Sequence, residues 1–198
     1  MISAGNDIVA LNVIDIQRTQ SPAFYSKFIT PTEFELYNPN EITLVNFVWL
    51  LWSAKESAYK YLKRINPELI FAPIKIKVVS LDIVVSLKTE NVHNYRGWIL
   101  AEDMSLPFLS VTMPESISTV ITQGDVKWNF LNIEASDYES QSKGVRFLLL
   151  NDLKIPNVSV EKHPTGYPIL MKNGQELNIA VSFAHHGCYV SYSFQIPE

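Results

Sequence analysis

Glu56 and Lys60 lie four residues apart in Trp52-Ser53-Ala54-Lys55-Glu56-Ser57-Ala58-Tyr59-Lys60, so on a helix they share a face. Taken alone, that spacing reads as a surface ion pair. The segment, however, continues directly from an almost wholly apolar stretch, Ile42 to Trp52. Over residues 53–64 it sets Lys55, Lys60, Lys63 and Arg64 against Glu56 alone, in a chain whose formal net charge is -4. A carboxylate among lysines suits a magnesium–phosphate site, because Mg²⁺ takes one or two carboxylates and fills its other positions with water and phosphate oxygens. The lysines would neutralise the phosphates. Asp7 follows Gly5-Asn6 at the head of a β-branched run, and by itself reads first as a turn or cap residue. Ser182-Phe183-Ala184-His185-His186-Gly187 holds two of the chain's 4 histidines. Zinc is a poor fit there, since adjacent strand residues point to opposite faces and no Cys or His spacing supports it. Gly166-Tyr167-Pro168, preceded by Lys162-His163, makes a tight turn that carries no functional signal alone.

These residues need elements to hold them. Residues 7–14 read as a strand leaving a Gly5-Asn6 turn, and Ser21 to Tyr37 as short helices, with Thr30-Pro31-Thr32-Glu33 as an N-cap with Pro early in the next helix. From about Glu41 to Arg64 no Pro or Gly interrupts. The first half of that stretch is apolar almost all round, as in a buried central helix. Alternation over 74–79 predicts a half-buried strand, with further strands at Leu81–Leu87 and Tyr95–Ala101, a loop at Glu102–Pro107, and a strand region within Ile117–Ile133. Ser136 to Leu153 reads as a helix with Ser136 as its cap and Val145, Leu148 and Leu149 on one face. Strands are expected at 157–162, 167–172, 178–184 and 188–196. The order of elements predicts an α+β protein of two comparable halves, 1–108 and 109–198.

The 198 residues are enough for a sizeable core without disulfides, and the single cysteine, Cys188, excludes an internal disulfide framework. A pI of about 5.6 argues against a broad nucleic-acid surface, so any anion site must be local. The apolar stretch Ile42–Trp52 is too short to cross a bilayer, and the start, from Met1, lacks a secretion signal. A cytoplasmic protein, with no nucleic-acid or membrane partner, is expected.

Taken together, the clusters resemble the 4′-phosphopantetheinyl transferase superfamily. Its signatures are a Gly-x-Asp-Ile strand, a Trp-x-x-Lys-Glu-(Ala/Ser)-x-x-Lys helix, a Gly-x-Pro turn and a Ser-x-(Ser)-His turn. Here they stand as Gly5-Asn6-Asp7-Ile8, Trp52–Lys60, Gly166-Tyr167-Pro168 and Ser182–His185, while Arg146-Phe147-Leu148-Leu149 resembles the family's second-half helix. The resemblance implies transfer of the phosphopantetheine arm of coenzyme A to a serine of an acyl or peptidyl carrier protein. It implies Asp7 and Glu56 on Mg²⁺, Glu56 as acceptor of the serine proton, and Lys60 on the pyrophosphate. It implies coenzyme A contacts from His185, Lys60, Gly166, Pro168 and Ser182. Some members carry a second acid where Val9 stands, so two protein carboxylates are expected on the metal. Tyr167 replaces a cation common in the Gly-x-Pro turn, and Lys162 is the candidate substitute.

In the family's longer, two-half members the Gly-x-Pro and His motifs come first. Here the Asp and Lys-Glu motifs do, which implies two similar halves, pseudo-twofold and in swapped order. The expected molecule is a monomer with its site in the cleft between them, and Lys63 and Arg64 form a patch for an acidic carrier. The competing readings are an inactive transferase-like fold that binds coenzyme A or a protein partner, and a purely structural module.

Overall fold

Thr43 starts the central helix by accepting the Asn46 amide on its side chain, and Asn66 ends it just before Pro67. Between them the uninterrupted run forms α4, Leu44–Ile65, 22 residues long, with Lys63 and Arg64 in the last turn, where cations oppose the helix dipole. The computed structural model describes residues 2–87 and 91–196; Met1, where the N-terminal reading starts, lies outside the described residues. Three one-turn helices precede α4: α1 (Ile16–Thr19), α2 (Pro22–Tyr25) and α3 (Pro31–Phe34). No helix among the described residues is long and apolar enough to cross a membrane.

The α+β class expected from sequence is the fold observed. The first sheet is antiparallel, in the order β1-β5-β4-β3-β2. Its strands are β1 (Asn6–Ala10), β2 (Lys77–Leu87), β3 (Val92–Ala101), β4 (Met104–Thr112) and β5 (Ser116–Ile121). Helix α4 covers one face, burying Phe47, Leu50, Leu51 and Ala54 against Ile99, Leu106 and Phe108. The second part runs β6 (Val126–Asn132), α5 (Tyr138–Leu153), β7 (Val158–Lys162), β8 (Pro168–Lys172), β9 (Gln175–Glu176), β10 (Ala180–His186) and β11 (Tyr189–Gln195). These strands make the sheets β10-β11-β6 and β7-β8-β9, and α5 buries Val145, Leu149 and Leu153 among Val181, Val190 and Tyr192. In the first and second sheets alike, the last strand lies between the first strand and the penultimate one.

Several details differ from the sequence reading. Strand β1 stops at Ala10, because residues 11–13 turn into a 3-10 helix. The expected loop at 102–107 shrinks to Glu102 and Asp103, both at positive φ (48 and 62), and Met104 already belongs to β4. Two adjacent positive-φ residues give the tight hairpin turn that matches strand twist. The cap of α5 is Asp137, which accepts the Ser140 amide, rather than Ser136. A division at 108/109 falls inside β4, whose sheet continues through β5 to Ile121.

Polar groups join the two parts. Asn6 donates its backbone N–H to Ser182 Oγ (3.3 Å) and its side-chain N–H to Ser191 Oγ (2.8 Å). Ala10 donates its N–H to His186 Nδ1 (3.0 Å). Strand β1 is thus tied to β10 at both ends, while Ile8 and Ala10 pack on Ala184 and Tyr189.

Candidate active site

Gly5 decides where Asp7 sits. A Cβ there would come within 2.2 Å of the Ser57 carbonyl oxygen and 2.7 Å of the Tyr61 amide nitrogen, so only glycine lets β1 rest directly on the α4 backbone. Gly5 therefore makes a close approach, where sequence had suggested a turn. Two residues on, Asp7 is 8% exposed, and its carboxylate meets Lys60 Nζ at 2.9 Å. Lys60 also donates to the Asn6 carbonyl (3.1 Å) and keeps 28% of its side chain exposed, so the pair opens to solvent.

Helix α4 is sealed on most sides. From Trp49 to Arg64 the half-buried positions are Trp49, Trp52, Glu56, Tyr59, Lys60, Lys63 and Arg64, and every other position is buried. At 100° per residue these seven form one stripe along the helix. Burial raises the Glu56 carboxyl pKa, Lys60 opposes the rise and Asp7 adds to it. His185 is pulled down by burial and by Lys60, against the opposing charge of Asp7. Asp7 and Lys60 therefore act on both Glu56 and His185 within one chain.

Two carboxylates share one lysine here, which leaves a negative charge uncompensated. Among the described residues no group of three or more His, Cys, Asp or Glu forms a ready-made metal cage. A pair of hard carboxylate oxygens lacking a third protein ligand fits Mg²⁺, which keeps water and phosphate in its remaining positions.

Beside this cluster lie two adjoining cavities of about 330 and 220 Å³, both lined by Gly166, Pro168 and Phe183. Lys60, Lys63, Arg64 and Ser182 line the first; Arg146, Lys162 and His185 line the second, with Glu161 as its one acid. Gly166 turns the β7–β8 hairpin at φ +105, where a side chain would be strained. Arg64 brings a cation to this turn: its guanidinium lies over the Tyr167 ring (4.4 Å) and donates to the Pro168 carbonyl (3.2 Å). Burial lowers its pKa against the opposing influence of Tyr167 and Glu176. The guanidinium is thus engaged inside the cleft rather than spread on an open face. Lys63 donates to the Leu69 carbonyl (2.8 Å).

Not every sequence candidate keeps the part suggested for it. Lys55, counted above among the site cations, is 0% exposed. Its ammonium donates to the Phe28 carbonyl (2.5 Å), the Pro73 carbonyl (3.0 Å) and the Glu33 carboxylate (2.7 Å), which uses all three N–H donors. Glu33 in turn closes a capping box with Thr30 and accepts the Val78 amide (2.8 Å). The pair is a pin through the core. The Ser182 hydroxyl, expected on coenzyme A, accepts the Asn6 amide. The paired histidines diverge as a strand requires: His185 faces the cationic cleft, and His186 accepts from Ala10.

Arg146 was noted only as part of a helix motif, yet it lines the cleft, with one guanidinium nitrogen on the Val160 carbonyl (2.6 Å) and another on Ser142 Oγ (3.2 Å). Its place on α5, one residue after the buried Val145, is the signal that could have found it.

A family model described as the 4′-phosphopantetheinyl transferase superfamily matches residues 3–100. That span contains β1 and all of α4, and so Asp7, Glu56 and Lys60. No curated protein and no solved structure matches the chain significantly.

Proposed function

We propose that this chain, which belongs to the 4′-phosphopantetheinyl transferase superfamily, moves the phosphopantetheine arm of coenzyme A onto a serine of an acyl or peptidyl carrier protein. The observation that carries the reading is the cluster of Asp7, Glu56, Lys60 and His185, coupled by charge, beside a cleft lined by cations from both parts of the chain. A pyrophosphate is what such a cleft is suited to receive.

The serine oxygen forms a bond to the phosphorus that bears the pantetheine arm. The P–O bond to the second phosphate breaks, and adenosine 3′,5′-bisphosphate leaves with the electron pair. The barrier is charge on phosphate and leaving group, so cations supply most of the catalysis. Glu56 accepts the serine proton, directly or through water. Asp7 and Glu56 would hold Mg²⁺, which when bound neutralises pyrophosphate charge. Lys60 meets the charge moving to the leaving group. His185, Arg146 and Lys162 hold the coenzyme A phosphates from the α5 side, and Gly166 and Pro168 shape the wall between.

Two similar halves in swapped order account for the shared placing of the last strand in both sheets. With Asp7 and His185 in one chain, a monomer suffices. The working place is the cytoplasm, and Lys63, with Arg64 behind it, attracts an acidic carrier to the mouth.

Mass spectrometry of a carrier protein incubated with coenzyme A, Mg²⁺ and the enzyme tests this. The carrier gains the arm with wild type and not with Glu56→Ala. Coenzyme A binding without transfer to any of a panel of carriers would make the protein a binder instead. A stable trimer in solution would overturn the one-chain site.

A further inference from the structure

The second sheet covers only part of the first. Asn6, Val120, Leu109, Arg96 and Asp82 form one cross-strand row through β1, β5, β4, β3 and β2. Residues opposed in this way share a sheet face, and the Asn6 side chain, bonded to Ser191, shows that it is the face turned away from α4. Along the row, Asn6 and Val120 are 0% and 1% exposed, whereas Leu109, Arg96 and Asp82 are 40%, 67% and 63% exposed. The cover therefore stops between β5 and β4. Its rim is β6, whose Trp128 donates to Ser118 Oγ on β5 (3.1 Å). Beyond that rim β4, β3 and β2 make an open shelf, which also carries Trp98, Leu100 and, at a bulge of β2, Val79, each nearly half exposed. Apolar side chains gathered on one sheet face mark an interaction surface. Among the described residues no strand pairs with the outer edge of β2 or of β6, so two strand edges border the shelf.

Shape and charge constrain what covers it. The apolar strip is continuous with the interface between the two parts, since Val120 and Leu109 lie side by side in one row. Asp82 and Arg96 stand opposite each other across β2 and β3, 3.9 Å apart. A twofold axis between two facing shelves, running along the strands midway between β2 and β3, sets each Arg96 over the other copy's Asp82. It also sets each Trp98 over the other copy's bulge at Val79, and each β2 in the corner beside the other copy's β6. A carrier fits less well. The shelf lies on the sheet face opposite α4, away from Glu56 and Lys60, and its ion pair is neutral.

We propose that a second copy of this chain covers the shelf, giving a closed twofold dimer in which each copy keeps its own complete site. Both shelves are consumed, so association stops at two. The register shifts of β2, between Val78 and Ser80 and between Ile83 and Val85, oppose an endless strand-on-strand ladder. A shelf three strands wide is only about 15 Å across. That is less than the roughly 800 Å² per partner of a standard interface requires, so the dissociation constant should be of the order of 10–100 µM. The dimer does not depend on the transferase reading.

Sedimentation velocity of the full chain from about 1 µM to 1 mM provides the test. Wild type should pass from monomer to dimer within that range and go no further. Trp98→Glu buries an unpaired charge at two symmetry-related points and should weaken the dimer by about a hundredfold or more. Asp82→Lys and Arg96→Glu should each remain monomeric, because like charges then face each other. Mixed in equal amounts, they should restore a dimer, because every charge then faces its opposite. Transfer per chain should be the same in all three variants as in wild type. A wild type that stays monomeric, a dimer that survives Trp98→Glu, or a mixture that does not associate refutes the proposal and leaves the transferase reading standing. Growth beyond two copies refutes the closed twofold arrangement. If Trp98→Glu weakens carrier binding at dilutions where wild type is monomeric, the shelf belongs to the carrier and the proposal fails. A wild type that dimerises as described but transfers nothing would instead remove the transferase reading.

Discussion

Gly5 touches the backbone of Ser57: a methyl group placed on it would lie 2.2 Å from the Ser57 carbonyl oxygen. That contact seats β1 on α4 and sets Asp7 beside Lys60. Gly5→Ala must therefore push strand and helix apart, at a cost of about 1–3 kcal/mol. Thermal unfolding should begin some 2–4 °C lower per kcal/mol lost. Transfer should fall further than the folded fraction does, because Asp7 is displaced even in molecules that remain folded.

Glu56→Gln should separate stability from activity. Burial raises the Glu56 pKa, so the folded state binds the proton more tightly than the unfolded state, and wild-type stability declines as pH rises through the folded value. At pH 7 without divalent cations, the Gln variant should melt above wild type. The gap should close as pH drops towards the ordinary carboxyl value of 4.5. Transfer should fall by about 10²–10⁴-fold, and added Mg²⁺ should raise the melting temperature of wild type alone.

His186 gives the opposite pH dependence. Its Nδ1 accepts the Ala10 N–H, which requires the neutral ring with its proton on Nε2. Burial lowers its pKa, so below the ordinary value of 6.5 the unfolded chain takes up a proton that the folded ring resists. Stability contributed by this bond is complete above that value and is lost as pH falls through the folded pKa. Thermal melts from pH 7.5 to 5 should decline, with a shallower slope in His186→Gln; equal slopes would remove the residue from this account.

The two motif lysines should fail in different ways. Lys55→Met leaves Glu33 charged and buried, and loss of one partner of such a pair costs about 3–5 kcal/mol. Lys60→Met removes a pair whose lysine keeps contact with solvent, so it should lower melting less than Lys55→Met while abolishing most transfer. Circular dichroism melts alongside a carrier-modification assay distinguish the two.

What sequence could and could not reveal follows the range of the interactions. The 22-residue α4 was legible because it lacks Pro and Gly and starts with a long apolar run, both local properties. The N-cap at Thr30 with Pro31 after it was legible for the same reason. Nothing local shows that Glu33 reaches Lys55, and lysines near a carboxylate look like site cations until one is found inside the core. The β3–β4 turn was hidden because Pro107 reads as a loop residue, although a proline is tolerated within β4. Arg64 on Tyr167 and Arg146 on Val160 depend on tertiary approach and leave no mark in spacing.

The polar ties along β1 have a consequence for how the molecule comes apart. If either sheet melted alone, the Asn6 amides and the Ala10 N–H would lose their acceptors on β10 and β11, and Ile8 and Ala10 would lose their apolar cover. Each half thus depends on its neighbour to hide what it cannot satisfy itself. Denaturation should be all-or-none, and residues 2–121 expressed separately should be a sticky, ill-formed fragment rather than a miniature of the whole.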